Sequence, residues 1–195
     1  MKKRLLAILL AAAMIASVTP FALAAGNSGS SEQTESSVAK VGDTYYDTLA
    51  DAFTAIETEG TVELVADATV NVVINVFSGK TVTLDLGNYQ VTPTERSSSG
   101  KIFRNYGTFT IKGDTDGVID ATSKDGTWSA IENDGGTLNI LSGTIKGNDK
   151  AIAMKNAGTV NISGGSLQGN KKADAYSGYA LQITKGGVVT ISGDA

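Results

Sequence analysis

Beyond residue 60 the chain repeats a short phrase in which apolar residues alternate with polar ones. The phrase is five residues long: it begins with glycine, and its third and fifth residues are apolar. Its clear copies are spaced by 29, 22 and 29 residues and begin at Gly107, Gly136, Gly158 and Gly187. Alternation with a period of two predicts β-strands that bury one face, so that Phe109 and Ile111 point inward while Thr108 and Thr110 point outward.

The spacing of the copies predicts how the strands assemble. Each copy is followed by a second short strand, which carries Ile119, Ile145 or Leu167. A repeat of this length with two or three short strands indicates a solenoid in which each repeat forms one coil. Corresponding strands of neighbouring coils would pair in parallel, about 4.8 Å apart. Looser copies at Gly79 and Gly60 extend the predicted coils back to residue 60, and the predicted fold class is all-β.

Residues 38–59 lack the phrase and predict a small N-terminal cap. Two short strands flank a Gly-Asp turn at residues 42–43, and a helix then opens at Thr48 with Asp51 as its capping-box partner. One buried helical face is predicted from the spacing of Leu49, Ala52, Phe53 and Ile56.

The phrase Gly-Thr-x-Asn/Thr-Ile-x-x-Gly-x-Ile resembles the coils of right-handed parallel β-helices, the pectate-lyase-like fold, as found in adhesin-like surface proteins of bacteria. Residues 41–52 also resemble the hairpin and helix that begin such domains. The resemblance implies a right-handed parallel β-helix with a hairpin-plus-helix cap at residues 38–59 and coils over residues 60–195. The last phrase is interrupted at Ala195, so we expect the coils to be incomplete at the C-terminus.

The N-terminus predicts export. Three cations, an apolar run over residues 5–18 and a small-x-small site identify residues 1–25 as a signal peptide. A membrane anchor is the alternative, but the apolar run is short for a span of about 20 residues. Residues 26–37 are Ser-rich and predict a flexible linker. We therefore expect a secreted or cell-surface protein without a membrane span after signal removal.

Charge and composition exclude several kinds of partner and of active site. Without its signal peptide the chain has 13 Lys and Arg against 20 Asp and Glu, a net charge of −7, which argues against nucleic acid as a partner. The chain has no Cys and no His, so thiol nucleophiles, disulfides, His-dependent triads and Cys/His zinc sites are excluded. A Gly content of 23 in 195 residues agrees with a turn-rich β protein.

The residue types that remain predict no enzyme, cofactor or metal site. The resemblance implies Arg or Lys bases beside carboxylates in related lyases, and the mature chain has only two arginines, Arg96 and Arg104. Residues 114–117 contain an acidic-x-acidic-Gly fragment of the kind seen in calcium loops, but a plain Asp-Gly turn is the preferred interpretation. The alternative hypothesis is a fragment of a polysaccharide lyase or a glycoside hydrolase-like β-helix.

Candidate ligand-binding residues come from loop insertions. Trp128 and Tyr179 each lie eight residues before a repeat glycine and are expected on one side of the solenoid, with Tyr176 nearby. Exposed aromatic rings could stack on sugars, whereas the alternative is that they cover the hydrophobic column. A structural Asn ladder is predicted from Asn105, Asn133 and Asn156, although Asn133 is offset by one residue.

These observations together predict a structural and binding module of the adhesin-like kind. Its expected partners are an extracellular glycan or a host surface protein, contacted through a loop face, and end-to-end self-association is a further possibility. A pure spacer that positions other domains is the third hypothesis.

Overall fold

The computed structural model describes residues 29–94, 100–122, 129–147, 154–169, 179–184 and 186–193. Over these residues it shows one α-helix and three mostly parallel β-sheets stacked into a β-solenoid of about four turns. The predicted signal peptide, Trp128 and Tyr176 lie outside the described residues. No helix within the described part is long and apolar enough to cross a membrane.

Sheet A is the largest sheet, with nine strands in the order β1-β3-β2-β4-β7-β10-β13-β16-β19. Its strands are β1 (Gly29–Ser30), β2 (Ala39–Val41), β3 (Thr44–Tyr46), β4 (Glu59–Leu64), β7 (Thr81–Asp85), β10 (Thr108–Lys112), β13 (Thr137–Ile140), β16 (Thr159–Ile162) and β19 (Val188–Ile191). From β4 onward all of its strands pair in parallel.

Sheets B and C each contain five parallel strands. Sheet B consists of β5 (Ala68–Val70), β8 (Gln90–Pro93), β11 (Val118–Asp120), β14 (Thr144–Lys146) and β17 (Ser166–Gln168). Sheet C consists of β6 (Ile74–Val76), β9 (Lys101–Asn105), β12 (Ser129–Asn133), β15 (Met154–Asn156) and β18 (Leu181–Ile183). The chain passes from A to B to C in each coil, which confirms the predicted all-β solenoid.

The predicted register of sheet A is confirmed from β10 onward. Thr108 pairs with Thr137, Thr137 with Thr159 and Thr159 with Val188, at offsets of 29, 22 and 29 residues. The alternation places Phe109, Leu138 and Val160 inside, where they are fully buried, whereas on the last strand Val189 is partly buried and Ile191 is exposed. Stacking of like residues on successive coils therefore builds one continuous apolar column.

The predicted cap is confirmed as a hairpin, β2 and β3, followed by helix α1 (Leu49–Ala55). Thr48 caps the helix: its Oγ1 accepts a hydrogen bond from the Asp51 backbone N–H at 3.1 Å and donates to Asp51 Oδ2 at 2.7 Å. Phe53 enters the column, with its ring centroid 5.6 Å from that of Phe103 and 5.9 Å from that of Phe109. The helix thus closes the first coils by packing an aromatic ring into them.

The two looser copies of the phrase were aligned wrongly by sequence. Lys80, rather than Gly79, precedes the Thr81 that pairs with Thr108, and Gly60 pairs with Val82 instead of lying beside a repeat glycine. Gly60 therefore occupies an inward position that elsewhere holds a large side chain. A Cβ at Gly60 would lie 3.2 Å from Cγ1 of Ile56, so the end of the helix fills the space that the glycine leaves.

The predicted Asn ladder is present and has no offset. Asn105, Asn133 and Asn156 pair in register at the ends of β9, β12 and β15, and each is fully buried. The Nδ2 atoms of Asn105 and Asn133 each donate to the Oδ1 of the next asparagine at 2.8 Å. The extra residue after Asn133 is absorbed by Gly135, whose φ of +85° a larger residue would adopt only with strain.

Part of the predicted linker carries ordered contacts. β1 pairs antiparallel with β3, and Ser37 is buried. Asp47 Oδ1 accepts a hydrogen bond from Ser36 Oγ at 2.9 Å, which ties this segment to the residue before the helix cap. Residues 29–37 therefore lie against the cap.

Candidate functional site

The aromatic residues predicted to bind a ligand are described only in part. Tyr179 has 53% of its surface exposed and lies two residues before β18, at the entry to sheet C. Trp128 and Tyr176 lie outside the described residues. The structure thus places one of the three residues on the surface, at the corner between sheets B and C.

The acidic residues near the predicted turn are held apart by different partners. The Gly117 backbone N–H donates to the Asp114 carbonyl at 3.1 Å, which closes the predicted turn. Asp85 forms an ion pair with Lys112 at 2.6 Å, and Asp120 lies 3.7 Å from Lys146. Within the described residues, no group of three or more acidic side chains is arranged to hold a metal ion.

A polar groove runs along the solenoid at the corner between sheets A and B. We call it the axial groove; it has a volume of about 620 Å³. It crosses successive coils, since its lining comes from the segments that follow β7, β10, β13 and β16. The lining residues are Asn88, Gly113, Asp114, Thr115, Ser142, Gly143, Thr144, Gly165 and Ser166.

The floor of the axial groove is backbone because side chains do not fit there. A Cβ at Gly165 would lie 2.7 Å from the Gly143 carbonyl oxygen, and one at Gly113 would lie 2.9 Å from the Leu86 Cβ. Gly143 and Gly165 also have φ values of +85° and +87°. Glycine at this corner therefore lets neighbouring coils approach and leaves an open channel above them.

The walls of the axial groove offer hydroxyl groups and one carboxylate. Ser142 is committed to the fold, since its Oγ accepts from the Gly113 N–H at 2.9 Å and donates to the Gly113 carbonyl at 2.7 Å. The Thr115 and Thr144 hydroxyls have no side-chain hydrogen bond to the described residues and are free for a ligand. Asp114 is the one ionised lining residue, so the groove is suited to an uncharged, hydroxyl-rich partner.

A second polar surface covers the outside of sheet A. We call it the Thr/Asn face and define it as two files of residues that are in register along the solenoid. The first file is Thr81, Thr108, Thr137 and Thr159, and the second is Thr61, Thr83, Thr110, Asn139, Asn161 and Thr190. All but the exposed Thr190 are half-buried.

Sheet C carries charge on its outer surface instead. Glu132 accepts a hydrogen bond from Lys101 and lies 3.3 Å from Arg104 Nε and 3.5 Å from Lys155 Nζ. Burial raises the pKa of the Glu132 carboxyl, but the Lys101 hydrogen bond and the three cations lower it by more, so this pKa lies below its ordinary value. An acid held ionised in this way ties three coils together and is a poor proton donor.

The sequence signal for the axial groove was present but was not recognised. Glycine recurs two or three residues after the last inward residue of three strands in sheet A, at Gly113, Gly143 and Gly164-Gly165. The sequence does not show that their missing side chains line up across coils.

No protein-family model, curated protein or solved structure matches this chain.

Proposed function

We propose that this protein is a secreted or surface-displayed binding module that holds an uncharged polysaccharide chain in its axial groove. The observation that carries the proposal is the shape of the site: a shallow, open groove that crosses four coils over a backbone floor. The predicted signal peptide and the resemblance of the repeat to adhesin-like surface proteins support an extracellular setting.

The dimensions favour a linear polymer. From the coil of Asn88 to that of Ser166 the groove crosses three intervals between strands, or about 14 Å at about 4.8 Å each. A compact ligand would leave much of this length open to water, whereas an extended chain could contact lining residues from all four coils. The Thr115 and Thr144 hydroxyls and the exposed backbone suit the repeated hydroxyl groups of a sugar polymer.

The charge favours a neutral polymer. Among the described lining residues Asp114 is an acid and none is a cation, and the mature chain carries a net charge of −7. A polyuronate would therefore be repelled at the site and over the whole surface. The proposed activity is binding without turnover, and it operates at a different corner from that of Tyr179.

Affinity electrophoresis tests the proposal with the secreted protein and a panel of soluble neutral glucans, mannans and xylans, with polygalacturonate as the anionic comparison. Thr144→Trp fills the groove and should weaken retardation by a neutral polymer at least about tenfold, equivalent to about 1.4 kcal/mol. Thr92→Trp is the matched control, because Thr92 lies on the outside of the same sheet and does not line the groove.

Retardation of the wild-type protein by a neutral polymer, lost in Thr144→Trp and kept in Thr92→Trp, is the expected result. Equal retardation of both variants would place the site elsewhere. Failure of every neutral polymer to retard the wild-type protein would overturn the proposed function.

A further inference from the structure

The Thr/Asn face is more regular than strand formation requires. Threonine is favoured in β-strands, so its presence on an outer strand surface is not in itself informative. That preference applies equally to all three sheets, yet the outer surface of sheet C carries Lys101, Arg104, Glu132 and Lys155, and sheet B carries Asp120 and Lys146. In the two files of sheet A, the four strands β7, β10, β13 and β16 carry hydroxyl or amide side chains alone.

Charges on sheet A are confined to its margins. Glu63, Asp85 and Lys112 form a third file at the ends of β4, β7 and β10, and Glu59 lies beside Thr81 at the capped end. The centre of the face is therefore an uncharged array bordered by ion pairs, which are strongly hydrated.

The side chains of the array are held in position while most of their hydroxyls stay unused. Asn161 Nδ2 donates to Asn139 Oδ1 at 2.9 Å, and Asn139 Nδ2 donates to Thr110 Oγ1 at 3.3 Å. The hydroxyls of the first file, and that of Thr83, make no hydrogen bond to the described residues. A side-chain ladder and an unbroken register of this kind are features that favour a flat sheet.

The spacing of the hydroxyls matches that of a tetrahedral water network. Neighbouring strands place them about 4.8 Å apart. Two oxygens that are hydrogen-bonded to one water at about 2.75 Å each, at the tetrahedral angle, are about 4.5 Å apart. One water can therefore bridge each pair of neighbouring threonines in the first file, and repetition over its four coils allows a row of three such waters.

We propose that the Thr/Asn face binds the surface of ice. The outer surface of a sheet cannot enclose a small soluble molecule as a concave site does, so an extended surface is the ligand that fits. Its structure must repeat with the coils and accept or donate hydrogen bonds at every position. A crystalline polysaccharide shares these properties, but the water-bridging distance between neighbouring threonines of the first file favours ice.

Ice grown slowly from a solution of the secreted protein tests the assignment. The fraction of protein taken into the ice and the gap between freezing and melting temperatures are both measured. Thr137→Lys places a charge at the centre of the face and should lower the incorporated fraction at least about tenfold. Thr92→Lys adds the same charge on sheet B and should leave incorporation unchanged.

The unfolding midpoints of both variants show whether the fold is kept. Exclusion of the wild-type protein from ice would overturn the proposal, as would equal incorporation of the two variants. Retention on microcrystalline cellulose that Thr137→Lys abolishes, together with exclusion from ice, would assign the face to a polysaccharide and overturn the ice assignment. Thr144→Trp should leave ice incorporation unchanged, so failure of this inference is separable from failure of the groove proposal.

Discussion

Two ladders of side-chain amides run along the solenoid, one inside its wall and one on its surface. The inner asparagines are fully buried, and besides one another they bond backbone groups. The outer pair, Asn139 and Asn161, is half-buried and bonds side chains only. The same amide chemistry therefore has two consequences: burial makes a ladder part of the fold, whereas exposure leaves it available to a ligand.

The largest effect is expected from the centre of the inner ladder. Asn133 Nδ2 donates to Asn156 Oδ1 and to the carbonyls of Gly136 and Thr159, and Asn133→Ala removes these bonds in a place that water does not reach. We expect a loss of about 3 kcal/mol in the free energy of unfolding. Urea denaturation measures it, and a loss below about 1 kcal/mol would show that the inner ladder is not a requirement of the fold.

A smaller effect, dependent on pH, is expected from the charged outer surface of sheet C. The pKa of Glu132 lies below its ordinary value in the folded protein. Its contribution to stability is therefore present in full above the unfolded-state pKa of a glutamate, about 4.3, and is lost as the pH falls through the lower folded-state value.

Urea midpoints measured from about pH 6 to about pH 3 test this contribution. Other carboxylates titrate in the same range, so the wild type is compared with a variant that lacks only the Glu132 carboxyl. Glu132→Gln should be less stable than the wild type at the upper end of the range and should lose part of the decline at the lower end. Parallel curves for the two proteins would contradict the prediction.

The smallest effect is expected from the outer ladder itself. Asn139→Ala removes one bond to Asn161 and one to Thr110 on a surface where water can replace both. The expected loss in the free energy of unfolding is about 0.5 kcal/mol or less. A loss equal to that of Asn133→Ala would remove the distinction between the two ladders.

The sequence predicted the regular part of the molecule because each coil repeats the same pattern of apolar and polar residues. The spacing of the phrase was sufficient to align Thr108, Thr137 and Thr159, and the Thr48 capping box marked the helix start. Prediction was wrong at Gly60, where alignment by glycine ignored the helix side chain that fills the gap. It also left Asn133 offset, because a left-handed glycine can absorb a residue without changing the strand register.

The candidate sites were harder to predict because they depend on what neighbouring coils place side by side. The Thr residues of sheet A were correctly predicted to face outward. The sequence alone did not reveal that the outer surfaces of sheets B and C carry charged residues instead. The axial groove is defined by missing side chains, whereas Trp128, Tyr176 and Tyr179 carry the residue type that a sequence reveals as a ligand-binding candidate.

The aromatic cluster at the capped end gives the assembly of the solenoid a direction. The rings of Phe53, Phe103 and Phe109 meet although the first is about a quarter of the chain away from the others, and the Phe103 and Phe109 centroids are 5.3 Å apart. The cap is therefore not complete until β10 has been synthesised. Once it has formed, its last strand presents an edge on which the next coil can stack, since each repeat of a solenoid contacts only its neighbours.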